Sequence, residues 1–273
     1  MLVYVKNDVN LLNKTVIDRP LKEYLEKVFD SFDIYISLEF TDTDSFVIDN
    51  IKSLILFEEF LNNEIKEFWY HKNVYISKES SIGIDVILED DVCIKGNSKI
   101  LKKSIIKKGS SITDSMIYDS IIDNNVVIEN SKVIDSKVGD NTTVGPYAHL
   151  RGGNTIGCGV RIGNFVEIKH STIGDKSKIA HLAYVGDTVM GTNVNFGCGA
   201  ITVNYDGVNK YKTIIEDNVF VGSNSNLIAP IILKKNSFIA CGSTITDSLE
   251  ENDFAIARER QIIKKNYKNI HNK

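Results

Sequence analysis

Residues 76–112 read ISKESSIGIDVILEDDVCIKGNSKILKKSIIKKGSSI, with a large aliphatic at every sixth position: Ile76, Ile82, Leu88, Ile94, Ile100, Ile106 and Ile112. The beat resumes at Val138, Val144, Leu150, Ile156, Ile162 and Ile168, and again at Ile215, Val221, Leu227, Leu233, Ile239 and Ile245. A period of six fits neither a helix nor an ordinary strand. It fits a chain that turns a corner every six residues and points one aliphatic inward from each face. Three faces close a triangular coil of about 18 residues, which predicts an all-β fold, the left-handed parallel β-helix of hexapeptide type.

Corners that tight need residues tolerant of positive φ, namely Gly, Asn and Asp. All 18 glycines lie at or after Gly83, and the first 72 residues carry neither glycine nor the six-residue beat. The chain therefore divides into a small α/β segment over residues 1–72, a coil domain over 73–250 and a C-terminal tail over 251–273. In the first segment LVYV and IYISLEF read as strands. Pro20 opens a helix at its first position, with Leu21, Tyr24, Leu25 and Val28 as its apolar stripe. Leu54, Phe57, Leu61, Ile65 and Phe68 mark a second helix, capped by Asp49 or Asn50.

The steps Ile112 to Ile117 to Ile122, Ile128 to Val133 to Val138, and Ile168 to Ile173 each drop one residue at a corner. One longer break, TVNYDGVNKYKT at residues 202–213, is polar, aromatic and basic, and is expected to be extruded as a loop. About ten coils at ~4.8 Å strand spacing make a prism on the order of 45 Å long. Its end coils expose unpaired backbone and must be covered: the N-terminal segment can cover one end, and the tail after Asn252 can cover the other or run back along a face.

A net charge of −4 and a pI near 5.8 argue against nucleic acid as the main partner. Residues 1–70 hold 14 Asp and Glu against 7 Lys and Arg, so the remainder is slightly basic, which is ordinary surface charge or suits an anionic substrate. Cys93, Cys158, Cys198 and Cys241 form no CxxC and read as free, mostly buried thiols of a reducing cytoplasm, with no metal site. The N-terminal MLVYVKNDVNLLNK lacks a signal pattern and no apolar run reaches a membrane span, so a cytoplasmic protein without a membrane partner is expected.

Four features carry polar chemistry. His181 follows the inward Ile179 by two residues and lies near a corner, as a solvated or satisfied histidine or as a general base poised near neutral pH. Arg151 and Lys169 are 18 residues apart, one full coil, and so project from one face in vertical register. With no obvious Asp or Glu partner these stacked cations form a phosphate clamp, or lay their stems over the coil with heads in water. The stretch from Asn204 to Lys210 offers an amide, a phenol and an ammonium to a polar ligand, or is a turn. The tail carries Arg258, Arg260, Lys264 and Lys265, a solvated helix face or a contact for nucleotide phosphate.

Read together, GPYAHLRGG, GNFVEIKHSTIG, AHLAYVGD, NVNFGCGAITVNYDGVNKYKT, VFVGSNSNLIAP and AIAR resemble one half of a bifunctional enzyme of cell-wall precursor synthesis. That half is the acetyltransferase of the glucosamine-1-phosphate N-acetyltransferase / N-acetylglucosamine-1-phosphate uridyltransferase family, within the hexapeptide-repeat acyltransferases. The resemblance runs without gaps from about 138 to 260 and continues as coil alone over 73–137.

The resemblance implies acetyl transfer from acetyl-CoA to the amine of glucosamine 1-phosphate, with no metal required. It makes His181 the general base, and Arg151 and Lys169 the cations holding the sugar phosphate. Tyr184, Asn195 and Lys210 contact sugar and phosphate, and Asn204 and Tyr205 form a loop pair near the reacting amine. Cys198, Ser223, Cys241 and Arg258 line the acetyl-CoA site. It also implies a homotrimer with each site between neighbours.

Three departures bear on function. The family's Gly-rich nucleotide loop and acidic metal ligands have no counterpart in residues 1–72, so uridylyl transfer is not expected. Cys198 and Cys241 replace small residues, and Gly152 stands where the family has proline after the arginine. An acceptor other than glucosamine 1-phosphate (a different amino-sugar phosphate or a nucleotide sugar) stays open. So does a non-catalytic paralogue that pairs with a full-length enzyme.

Overall fold

The structure is a computed structural model that describes residues 73–83 and 86–265, together with the backbone of the strands Leu2–Val5, Thr15–Val16, Arg19–Pro20 and Ser45–Ile48. From Tyr75–Ile76 to Phe254–Ala255 the chain runs through 30 short strands in three parallel sheets of 11, 10 and 9. It visits the sheets in rotation, so each strand pairs with the one a full coil later. This is the left-handed β-helix that the six-residue beat predicts. The first face begins at Tyr75–Ile76, the second at Ser81–Ile82 and the third at Ile87–Leu88.

The beat residues are the core. Leu88, Ile94, Ile100, Ile106, Ile112, Ile117 and Ile122 are fully buried, stacked along the prism. Left-handed residues carry the corners at both step lengths. At the five-residue steps one residue carries the turn: Asp114, Asp119, Asn130, Asp135 and His170 take φ between 43 and 47°. At six-residue steps the left-handed residue is Asp91, Asn125 or Asn141 at 59, 55 and 58°, and elsewhere Leu182 at 47° or the pair Lys102 and Lys103 at 45 and 39°. Asn and Asp tolerate this region because their short polar side chains bond locally.

Corners interrupt the backbone ladder, and buried hydroxyls fill the gap. Ser98, Ser115 and Ser131 form a spine in which each Oγ accepts from a backbone N–H of the next coil: Ser115 at 3.2 Å, Ser131 at 3.0 Å and Ala148 at 3.1 Å. Paired in this way, the buried polar atoms carry no desolvation penalty.

Near the N-terminus LVYV is a strand as expected, paired in parallel with Ser45–Ile48. Pro20 does not open a helix: it belongs to the strand Arg19–Pro20, which pairs antiparallel with Thr15–Val16. A proline's fixed φ and missing N–H are compatible with a sheet edge as well as with a helix start, so the residue alone does not discriminate. The segment IYISLEF and both expected helices lie outside the described residues. The thiols are also less buried than expected, with Cys158 and Cys241 exposed and Cys93 and Cys198 half-buried.

Candidate active site

Two edges of the second face carry the chemistry. At the edge between first and second faces, the strand Lys178–His181 ends on His181 and the chain turns at Leu182, φ 47°. The ring is exposed, and its Nδ1 lies 2.7 Å from Oδ1 of Asn164, its register partner one coil earlier. An amide oxygen accepts, so with Oδ1 facing the ring this contact is a hydrogen bond when Nδ1 carries the proton.

The same edge continues upward through the expected acetyl-CoA residues. Gly199 N donates to His181 O, Asn224 N to Cys198 O and Gly242 N to Ser223 O, so the His181 corner and those of Cys198, Ser223 and Cys241 stack in successive coils. Arg258 reaches back from the tail, with Nη1 3.1 Å from Cys241 O and 3.4 Å from its Sγ.

At the opposite edge of the second face Arg151 and Lys169 are register partners on adjacent strands, as their spacing requires. The expectation that Arg151 has no acidic partner is overturned. Its Nη2 lies 2.5 Å, and its Nε 2.7 Å, from Glu167 Oε1. Glu167 pairs in register with His149, two residues before Arg151, so the contact is diagonal between coils.

The loop leaves from this edge. The strand Ile201–Val203 ends, residues 204–212 fold out, and the coil resumes at Thr213–Ile215. A bridge between Tyr205 and Lys210 closes the loop. Asp206 Oδ1 accepts from Val208 N at 2.7 Å and Asn209 N at 2.6 Å, which holds its carboxyl below the usual carboxylate range. Tyr205 donates its hydroxyl to Gly207 O within the loop at 2.5 Å. Asn204 Nδ2 donates to Asp187 Oδ2, and Asp187 also faces His170 Nδ1 at 3.7 Å.

Folded back in this way, the loop brings Lys210 against Lys169. That contact, followed by burial and then by the charges of Lys210 and Arg151, holds the Lys169 ammonium below its ordinary value, and only Asp187 opposes the shift. Arg151, Lys169 and Lys210 thus form a cation cluster, with Glu167 paired to Arg151 and Asp187 facing Lys169. Tyr184, three residues after His181, begins the intervening strand Tyr184–Gly186. At about 3.3 Å per residue that strand separates base from cations by ~10 Å.

Asn195 is not part of this grouping, because it lies on the first face, in register with Lys178 and Phe220. Sequence reasoning missed Asn164, Glu167 and Asp187. Their signal is the 16- to 18-residue coil offset applied to polar residues as well as to aliphatics. Gly152 has φ 72°, which proline cannot adopt, so the backbone after Arg151 departs here from a chain with proline.

No protein-family model matches the chain. It is 44% identical over 218 residues to the bifunctional protein GlmU of Shouchella clausii, covering 77% of this chain and 47% of that protein. The bifunctional protein GlmU of Clostridioides difficile is 48% identical over 195 residues, which is 71% of this chain and 41% of its own length. The coiled region is homologous to part of GlmU. The chain spans about half the length of the GlmU proteins it matches, and the match covers its C-terminal ~75%. Among solved structures, the UDP-N-acetylglucosamine acyltransferase of Campylobacter jejuni aligns at 14% identity and TM-score 0.32, over 69% of this chain and 71% of that one. The polySia-specific acetyltransferase NeuO aligns at 18% and 0.32, over 72% and 85%.

Proposed function

We propose that this protein transfers acetyl from acetyl-CoA to the amine of glucosamine 1-phosphate, as a cytoplasmic homotrimer. The observation that carries the reading is the cluster of Arg151, Lys169 and Lys210 one short strand away from His181. The cations take the sugar phosphate. The amine at the neighbouring ring carbon then lies toward His181, whose Nε2 removes the ammonium proton. The freed amine attacks the thioester carbonyl, the C–N bond forms and the C–S bond breaks, the thiolate takes the imidazolium proton, and the second proton of the attacking nitrogen is lost to solvent, so that one proton is released overall. A base in this role contributes about 10²–10⁴-fold.

The stacked corners of Cys198, Ser223 and Cys241, with Arg258 beside them, support a cofactor path ending at the base. Asn195, turned away on the first face, suits a site completed by a neighbouring copy. The homology to GlmU supports the same reading without fixing the acceptor. A cation cluster specifies phosphate and leaves the sugar open, so the test uses a panel. Release of coenzyme A thiol is measured with glucosamine 1-phosphate, other amino-sugar phosphates and amino-sugar nucleotides. Turnover greatest with glucosamine 1-phosphate, and lost in His181→Ala, is expected. Preference for another acceptor moves the assignment, and turnover unchanged in His181→Ala overturns the mechanism.

A further inference from the structure

We infer that Asn164 is the positioning residue of His181: its amide oxygen fixes the Nδ1–H tautomer and presents Nε2 as the base. The inference rests on the proposed role of His181 and adds what orients it.

Close backbone approach makes the contact possible. Strands Arg161–Asn164 and Lys178–His181 are four residues each, longer than most in the coil, and their ends carry the pair. Just before Asn164 stands Gly163, where a Cβ would lie 1.8 Å from the Ala180 carbonyl oxygen. Only glycine lets the two strands pack this closely one residue before His181. Leu182 N donates to Asn164 O at 3.0 Å, so the backbone ties Asn164 to the residue after His181, beside the side-chain contact at 2.7 Å.

An amide in this role has a different consequence from a carboxylate. It orients the ring and selects the tautomer without adding negative charge beside it. The charged and titratable groups on the surrounding elements are Arg161 and Lys178 at the far ends of the two strands, Glu167 and Tyr184 across the corner, and the Cys198 thiol one coil above. Among the described residues no carboxylate stands within ion-pair distance of the His181 ring.

The test has two independent arms. Nitrogen NMR of the ¹⁵N-histidine protein reads the His181 tautomer whether or not the protein turns over, using His181→Ala to assign the signal. The Nδ1–H form is expected in the native protein, and a mixture or the Nε2–H form in Asn164→Ala. In the second arm, pH profiles are compared for native, Asn164→Ala and Asn164→Asp proteins with glucosamine 1-phosphate and acetyl-CoA. Asn164→Ala is expected to lose about 10-fold or more in kcat, within the ~10²–10⁴-fold span of general-base catalysis, with KM little changed. Asn164→Asp is expected to keep the tautomer and move the acidic limb to higher pH by about 1–3 units, because a carboxylate stabilises the imidazolium. An Nε2–H tautomer in the native protein, or a tautomer and profile unmoved in both variants, overturns the inference. Absence of turnover in the native protein overturns the proposed function and leaves the tautomer arm to decide this one.

Discussion

Lys169 shows how one residue's chemistry follows from its neighbours. Its folded-state pKa lies below the ordinary 10.5 because Lys210 and Arg151 crowd it with like charge. A lysine whose pKa is lowered on folding costs stability while it is charged, and that cost is relieved as pH rises through the lowered value. A bound phosphate reverses the balance by favouring the ammonium. Anion binding therefore takes up protons in the window between the lowered and the ordinary value, and anion affinity falls as pH rises through it. The acceptor KM is expected to climb on the alkaline side, starting below pH 10.5. Lys210→Ala raises KM at neutral pH and moves that break upward. Arg151→Ala removes a charged hydrogen-bond donor worth about 1.5–3 kcal/mol, so acceptor KM rises roughly 10- to 100-fold. Steady-state kinetics across pH measures all three effects. Residues one coil apart were legible in the sequence because an 18-residue offset stacks them. Glu167 was not, because its carboxylate reaches Arg151 diagonally, from the strand position that faces His149.

At the scale of elements, strands and corners divide the work differently from what periodicity alone reveals. The aliphatic beat located the buried column and even the shortened steps, since inward side chains must keep their register whatever the corner length. It said nothing of what satisfies the corners. One answer is an asparagine ladder at the edge between third and first faces: Asn193, Asn218, Asn236 and Asn252, each at positive φ, bond amide to amide at 3.0, 3.2 and 3.1 Å. Asn218→Ala loses both of its bonds and places an alanine at φ 58°, and is expected to cost about 1–2 kcal/mol. Asn218→Gly loses the same bonds without the steric cost and is expected to be milder, by urea midpoint. Gly163→Ala, which drives a Cβ into the Ala180 carbonyl, is expected to cost about 3 kcal/mol by the same measurement. The break at residues 202–213 marked the loop because the aliphatic beat stops there, although Thr202 keeps a buried inward position in register with Leu227. The loop's shape comes from Asp206, a local partner that no periodicity encodes, and from Asp187, one coil before Asn204.

Along the coil the described residues form two exposed apolar ladders. Tyr147, Phe165 and Leu182, exposed by 58, 56 and 56%, occupy equivalent corners in successive coils, and the first two rings stack at 5.4 Å. Phe220, Phe238 and Phe254 stack at 4.4 and 5.6 Å on the first face. Contiguous exposed apolar surface of this kind marks association. The first ladder runs along the same edge as Asn164 and His181, so association there places a neighbouring copy beside the base. If the site is completed between copies, losing the assembly removes turnover even where the coil stays folded. Phe165→Asn separates the two effects, because asparagine accepts φ 56° and so spares the corner while removing the ring. Light scattering is expected to give a trimer for the native protein and for His181→Ala, and a smaller species for Phe165→Asn. That variant is expected to keep its β-sheet circular dichroism and its urea midpoint nearly unchanged while losing coenzyme A release. A fully active monomer of either protein would separate assembly from catalysis and place the whole site within one prism.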